Sequence, residues 1–153
     1  MPGPTVYVDA DACPVKDEVL RVAERHGVPV VMVSNGGLRP SRDPMVTMVT
    51  VPKDADAADD WIIDHALEND LVITADIPLA RRAVARRCHV LGPTGRLFTE
   101  ASIGMAVAMR DLNQHLRETG AISGHNRAFS PKDRSLFLSA LDLALRRASR
   151  AAK

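Results

Sequence analysis

The chain has 153 residues, of which 46% are hydrophobic and 25% are charged. This length and composition suit one globular domain with its own core. No apolar run approaches the ~18 residues that span a bilayer, and residues 1–4 lack the regions of a signal peptide. Cys13 and Cys88 are too few for a disulfide scaffold or a zinc site. We therefore expect a single cytoplasmic domain over residues 1–153, with two reduced thiols and no membrane partner.

The net charge of +1 hides an uneven distribution along the chain. Residues 1–76 contain 14 acidic and 6 basic residues, a balance of −8, and residues 77–153 contain 5 acidic and 14 basic residues, a balance of +9. An acidic centre beside a basic surface is typical of an enzyme whose metal faces a phosphate while its flanks hold a polyanion. Helix faces that differ in sign by chance would give the same numbers, so charge alone leaves both interpretations open.

Strands and helices alternate along the predicted chain. Apolar or alternating stretches predict strands at residues 5–10, 29–34, 45–51, 71–75 and 89–91, with a further extended segment at 96–98. Amphipathic stretches predict helices at residues 14–26, 54–68, 78–87, 100–117 and 130–150, and a loop is expected at 119–127. This order predicts an α/β three-layer sandwich, with a mostly parallel central sheet of about five strands and helices on both faces. One-sided polarity places the third strand at an edge, and the last helix is basic.

Aspartates stand where predicted strands end and where the second helix begins. Asp9 lies at the end of the first strand and Asp11 just after it, Asp76 follows the fourth, and Asp59 and Asp60 occupy the first turns of the helix. The carboxyl ends of parallel strands meet at one edge of a sheet, where ligands bind. Carboxylates that gather there repel one another unless a cation lies among them. Oxygen-rich sites suit Mg²⁺ or Mn²⁺, so we expect a divalent-metal site.

Each aspartate also has a purely structural interpretation. Asp54 and Asp56 suit a helix start, where the helix dipole favours negative charge. Asp11 could be an Asx-type cap before the first helix. Adjacent helix positions point about 100° apart, so one of Asp59 and Asp60 faces solvent, and the sequence leaves open which one.

Four motifs together resemble the bacterial YaiI/YqxD family. They are Val8-Asp-Ala-Asp-Ala-Cys-Pro-Val-Lys16, Ala55-Asp-Ala-Ala-Asp-Asp-Trp-Ile62, Thr74-Ala-Asp-Ile-Pro-Leu-Ala80 and Phe129-Ser-Pro-Lys-Asp-Arg134, the last continuing through Phe137 and Leu141. The resemblance covers nearly the whole chain. The family is similar to PIN-like and NYN-like nuclease folds, compact α/β domains whose acidic residues bind Mg²⁺ or Mn²⁺ to cleave RNA or DNA.

This resemblance implies a role for each matching aspartate. Asp9 matches the acid after the first strand, Asp59 or Asp60 the helix acid, and Asp76 the acid after the later strand, while Asp11 is an additional acid. Gly92 and its neighbours stand where a further acid is expected after the fifth strand, which leaves the number of metal ions open.

Three functions follow from these features. The main hypothesis is a metal-dependent nuclease, with RNA favoured over DNA, whose substrate contacts come from Ser34, Asn35, Arg81 and Arg82. The second is a phosphatase of the haloacid dehalogenase type, because the segment from Val6 to Asp11 resembles its opening motif, with Asp9 as nucleophile. The third is a non-catalytic nucleic-acid-binding module. The oligomeric state is open, with a homodimer as one option.

Overall fold

The computed structural model describes residues 3–36, 38–54, 56–120 and 129–151. The strands are β1 (Val6–Asp9), β2 (Val30–Ser34), β3 (Val46–Thr50), β4 (Leu71–Ile73), β5 (His89–Leu91) and β6 (Leu97–Phe98). The helices are α1 (Lys16–His26), α2 (Ala57–His65), α3 (Ile77–Ala85), α4 (Glu100–Glu118) and α5 (Pro131–Ala151). Most of the loop predicted at 119–127 lies outside the described residues.

The six strands form one sheet in the order β3-β2-β1-β4-β5-β6. Every neighbouring pair is parallel except β5 and β6, which are antiparallel. The predicted α/β architecture with a mostly parallel sheet is therefore confirmed, and β3 lies at an edge as expected. The sixth strand is the extended segment expected near residue 97, which pairs with β5 through a tight turn.

Both faces of the sheet are buried, because successive strand residues point to opposite sides and helices pack on each side. Val6 and Val8 of β1 belong to a core formed with α1 and α5. Tyr7, between them, belongs to a second core formed with α2 and α3. Nearly continuous apolar strands are typical of parallel sheets covered on both sides, which explains why β1, β2 and β4 were readily predicted.

Three helices begin or end at least two residues away from their predicted positions. Helix α3 ends at Ala85, not at residue 87, where Arg87 has a left-handed backbone with a φ of 63°. Residues Ala10–Ala12 form a short 3-10 turn, so α1 begins at Lys16 instead of residue 14. Helix α2 covers Ala57–His65, not 54–68. It ends before residue 68 because the Asp70 carboxylate accepts the Leu67 N–H at 2.9 Å, a group that a longer helix would use.

The last helix begins as its sequence predicts. Ser130 Oγ accepts the Asp133 N–H at 3.2 Å and an Asp133 carboxylate oxygen accepts the Ser130 N–H at 3.0 Å, a reciprocal capping arrangement that fixes the start of α5. None of the described helices combines the length and apolar character needed to cross a membrane.

Candidate metal centre

The centre of the sheet contains the point where the strand order reverses. From β1 the chain proceeds to β2 and β3 on one side, and β4 lies on the other side of β1 and leads to β5. Open α/β sheets bind ligands in the crevice at the carboxyl ends of strands that flank such a point. Asp9 is the last residue of β1, and Asp76 follows β4 by three positions. The fold therefore places both aspartates at this crevice.

Three carboxylates converge there. Asp9, Asp59 and Asp76 each offer one oxygen, and these oxygens lie within 4.8 Å of one another. Because Mg²⁺ binds its ligands at ~2.0–2.1 Å, oxygens on opposite sides of it are about 4 Å apart. The cluster is thus near the size of a one-ion site, and its all-oxygen chemistry fits Mg²⁺ or Mn²⁺.

A buried threonine fixes the orientation of Asp9. The Thr74 hydroxyl donates to Asp9 Oδ2 at 2.9 Å. This contact follows from the strand register, because Val8 pairs with Ile73 and the next residues therefore lie opposite each other. Burial is the main cause that raises the pKa of the Asp9 carboxyl, against the hydrogen bond from Thr74, which lowers it, while the nearby charges of Asp76 and Asp11 raise it. Asp9 is thus held firmly in a position where its negative charge is disfavoured.

Asp76 is fixed at the start of α3. Its backbone N–H donates to Thr74 Oγ1 at 2.9 Å, and its Oδ1 accepts the Leu79 N–H at 3.3 Å. The residue is therefore the N-cap of α3, and Pro78 in the first turn favours the helical backbone there. Asp76 thus caps the helix start and also offers an oxygen to the cluster.

Asp59 comes from the buried side of α2. It is 7% exposed and shares that side with Ile62 and Ile63, at three and four positions along the helix. Within the described residues, its carboxylate has no hydrogen-bond donor or ion-pair partner. Burial, followed by the charges of Asp76 and Asp9, raises the pKa of Asp59 to about 7, against the charge of Arg82, which lowers it. The negative charges of the cluster therefore outweigh the positive charge near Asp59.

The other buried aspartate near these strands shows what a structural carboxylate looks like in this fold. Asp70 directly precedes β4, at the end of the sheet opposite to the cluster. Its carboxylate accepts the N–H groups of Thr5 and Leu67 at 3.0 and 2.9 Å. Its charge is thus satisfied by the backbone, as buried carboxylates usually are. Asp59 has no such donors in the described structure, which separates it from a carboxylate that serves the fold.

Asp60 and Asp11, two further candidate acids, have different partners. Asp60 is exposed and accepts a 2.8 Å hydrogen bond from Arg82 Nη1 on α3. Asp11 is exposed in the 3-10 turn, and both of its oxygens accept the Asn35 N–H, at 3.0 and 3.1 Å. Asp59 is therefore the residue of the α2 pair that faces the cluster, and Asp11 lies at its rim, joined to the loop after β2.

The predicted substrate contacts lie on two sides of the cluster. Ser34 is buried at the end of β2, and its hydroxyl accepts the Gly36 N–H at 3.2 Å. Asn35 is half-buried beside it. Arg81 and Arg82 are exposed on α3, on the other side.

Two residues near the site were not singled out from the sequence. Thr74 orients Asp9 and receives the Asp76 N–H, as described above. The Lys16 ammonium donates to the carbonyl oxygens of Ala10 and Cys13 at 3.0 and 3.1 Å, which closes the turn after Asp9. The position of Thr74 between a buried strand and Asp76 was a signal for the first residue. Lys16 ends the first motif of the family resemblance, but that motif assigns it no role.

Sequence comparisons agree with the motif resemblance. The family model described as "Uncharacterized BCR, YaiI/YqxD family" matches residues 7–147. The chain is 69% identical over 152 residues to the UPF0178 protein mlr0875 of Mesorhizobium japonicum, covering 99% of this chain and 98% of the relative. It is 64% identical over 145 residues to the UPF0178 protein Atu1478 of Agrobacterium fabrum, covering 95% of each chain. No solved structure matches the chain significantly.

Proposed function

The chain belongs to the YaiI/YqxD family, and from its acidic centre we propose that it is a Mg²⁺- or Mn²⁺-dependent hydrolase that cleaves phosphodiester bonds of nucleic acid, with RNA as the favoured substrate. Asp9, Asp59 and Asp76 would hold the metal. Both cysteines are free and buried, in keeping with the cytoplasm as the proposed location.

The unpaired carboxylate of Asp59 is the observation that supports this proposal most directly. A nearly buried aspartate without donors in the described structure points at two further carboxylates, which is costly in the absence of a cation. Asp59 does not serve the fold in the way that Asp70 does. A divalent ion would remove the repulsion among the three charges and lower the pKa of Asp59.

The residues around the cluster would have separate roles in the proposed hydrolysis. A bound divalent ion supplies activation of a water molecule and charge neutralisation at the phosphoryl oxygens. Thr74 keeps Asp9 in its binding orientation, and the α3 start does the same for Asp76. Asp11, whose charge is close enough to raise the pKa of Asp9, would accept a proton from the attacking water. Arg82, beside Asp60, would lie close to a phosphate bound at the cluster.

Nucleic acid is the proposed substrate because basic residues lie beside the acidic centre. Helix α3 begins directly after Asp76, carries the exposed Arg81 and Arg82, and is followed by the exposed Arg86 at its C-cap. The backbone phosphates next to the one bound at the metal would thus lie beside positive charge. Small phosphate esters would need no such flank.

The proposal is tested by cleavage of labelled single-stranded RNA and DNA with Mn²⁺, with Mg²⁺ and with EDTA. We expect metal-dependent cleavage that falls by at least about 100-fold in Asp59→Asn. Asp64→Asn, an exposed position on the same helix, is the matched control and should cleave like the wild type. Equal cleavage in EDTA, or by Asp59→Asn, would contradict the proposal.

Further measurements distinguish the two alternative functions from the proposed hydrolase. A phosphatase with Asp9 as nucleophile would hydrolyse a small phosphomonoester and form a trappable phosphoaspartate at that residue. A binding module would retain nucleic acid without cleaving it, and its binding would survive Asp9→Asn.

A further inference from the structure

A groove of about 470 Å³ runs between α3 and α4. Ile77 and Pro78, at the start of α3, line one part of it. Since these residues directly follow Asp76, the groove opens beside the acidic cluster. Arg81, Arg82, Val107 and Arg110 line the rest, so that both helices contribute to it. The groove therefore begins at the end of α3 that has Asp76 as its N-cap.

The charge of the groove is opposite to that of the cluster. Three arginines line it, and Asp111 is the acid among its lining residues. The carboxylate of Asp111 lies 3.7 Å from Arg110 Nη1, a long contact between exposed side chains, which contributes little. Arg82 is held by Asp60 at 2.8 Å, and Arg81 is its exposed neighbour in sequence. The groove thus has an excess of positive charge that an anionic ligand would balance.

The remaining lining of the groove is apolar. Ile77 and Val107 are half-buried, and Pro78 and Ala85 are exposed. Apolar side chains next to guanidinium planes form the kind of surface on which an unstacked base or a ribose packs. A free inorganic anion would use the arginines and leave this apolar surface bare.

The apolar lining of the groove favours a single strand over a duplex. An unpaired base can pack on Ile77, Pro78 and Val107, whereas a base inside a duplex stays paired and stacked and cannot reach them.

We propose that the α3–α4 groove binds a single nucleic-acid strand next to the phosphate held at the acidic cluster. Arg81 and Arg110 contact the strand's backbone, and a base or ribose packs on Ile77, Pro78 and Val107. The proposal rests on the proposed function for the identity of the strand. It adds the requirement that the substrate be single-stranded and extend beyond the cleaved bond on the α3 side.

The test is fluorescence anisotropy with a labelled 12-nucleotide RNA, the same DNA sequence and the matching duplex, all in EDTA. Cleavage cannot occur there, so binding is measured apart from hydrolysis. We expect Arg81→Ala/Arg110→Ala to weaken single-strand binding by about 10- to 30-fold at 0.1 M salt, and to reduce the salt slope of log K by about 1.4. Val107→Glu, which adds negative charge without removing an arginine, should weaken binding as well.

Arg21→Ala/Arg150→Ala is the matched control, because it removes two exposed arginines from α1 and α5 on the opposite face of the sheet. It should change single-strand affinity by less than about twofold and leave the salt slope nearly unchanged. The proposal is overturned if the wild type does not bind the single strand, if the duplex binds as tightly, or if groove and control variants bind alike. If the wild type cleaves RNA while the groove variants bind normally, the groove proposal is overturned and the proposed hydrolase stands. If binding depends on the groove but no metal-dependent cleavage occurs, the proposed hydrolase is overturned and the groove proposal stands.

Discussion

The Thr74 hydroxyl donates to Asp9 Oδ2 at 2.9 Å and accepts the Asp76 N–H at the same distance. One buried side chain therefore joins the ends of two neighbouring strands and orients one carboxylate of the cluster. Partners of metal-binding carboxylates commonly set the geometry of the site in this way. The two hydrogen bonds of Thr74 therefore fix Asp9 and the backbone of Asp76 relative to the sheet.

Replacing Thr74 with valine should weaken metal binding without removing a metal ligand. Valine fills the same space but leaves Asp9 Oδ2 and the Asp76 N–H without this partner. We expect Mn²⁺ affinity to fall by about 10- to 100-fold and the free energy of unfolding to fall by about 1–2 kcal/mol. Calorimetric titration and urea unfolding measure the two effects. Thr50→Val, on the exposed side of edge strand β3, should leave Mn²⁺ affinity unchanged; an equal loss of affinity there would contradict the role of Thr74.

The stability of the metal-free protein should depend on pH through Asp59. Its pKa is raised to about 7 in the folded protein from an ordinary value of 3.8, so between these values the folded state retains a proton that the unfolded state releases. Stability from this group is therefore present below about pH 4 and declines as the pH rises to about 7. The loss at pH 8 should be on the order of 1–4 kcal/mol.

Asp59→Asn isolates this effect, because asparagine cannot titrate. In EDTA, we expect the variant to be more stable than the wild type at pH 8 and the difference to shrink toward pH 5, as measured by chemical unfolding. Asp64→Asn should follow the wild type throughout. A variant that is equally destabilised at both pH values would show that Asp59 carries no unfavourable charge.

A glycine in the turn between β5 and β6 is required by the packing of α5. Gly95 has a φ of +92°, and an added Cβ would lie 2.9 Å from the Leu136 carbonyl oxygen. Gly95→Ala should therefore lower the free energy of unfolding by about 2 kcal/mol or more. Gly104→Ala is the opposite case, because Gly104 lies in α4 with no atom within 4 Å of the added Cβ, and it should raise stability by about 0.5–1 kcal/mol. Thermal unfolding of both variants checks the pair; equal effects would contradict this account.

The sheet and two of its three clustered aspartates could be predicted because local signals agreed with the global fold. Buried apolar runs indicate the strands, Asp9 is the last residue of one of them, and Asp76 comes three positions after another. Parallel pairing then brings those strand ends to one edge. The end of α2 could not be predicted, because it depends on the Asp70 carboxylate reaching the Leu67 N–H, a contact that helix periodicity does not encode.

The choice between Asp59 and Asp60 was open in the sequence, although a signal existed. Asp59 precedes Ile62 and Ile63 by three and four positions, which places it on their side of the helix. Asp60 instead pairs with Arg82, 22 residues away on another helix. The α3–α4 groove was beyond sequence reasoning for the same reason, since its two walls meet only through packing of helices.

The most direct test of the account is a calorimetric titration of Mn²⁺ into the wild type, Asp59→Asn and Asp64→Asn at pH 8, with each variant first shown to be folded by circular dichroism. We predict saturable binding to the wild type and to Asp64→Asn, and binding to Asp59→Asn that is weaker by at least about 10-fold. Absence of binding to the wild type, or equal binding to Asp59→Asn, would contradict a metal centre formed by Asp9, Asp59 and Asp76.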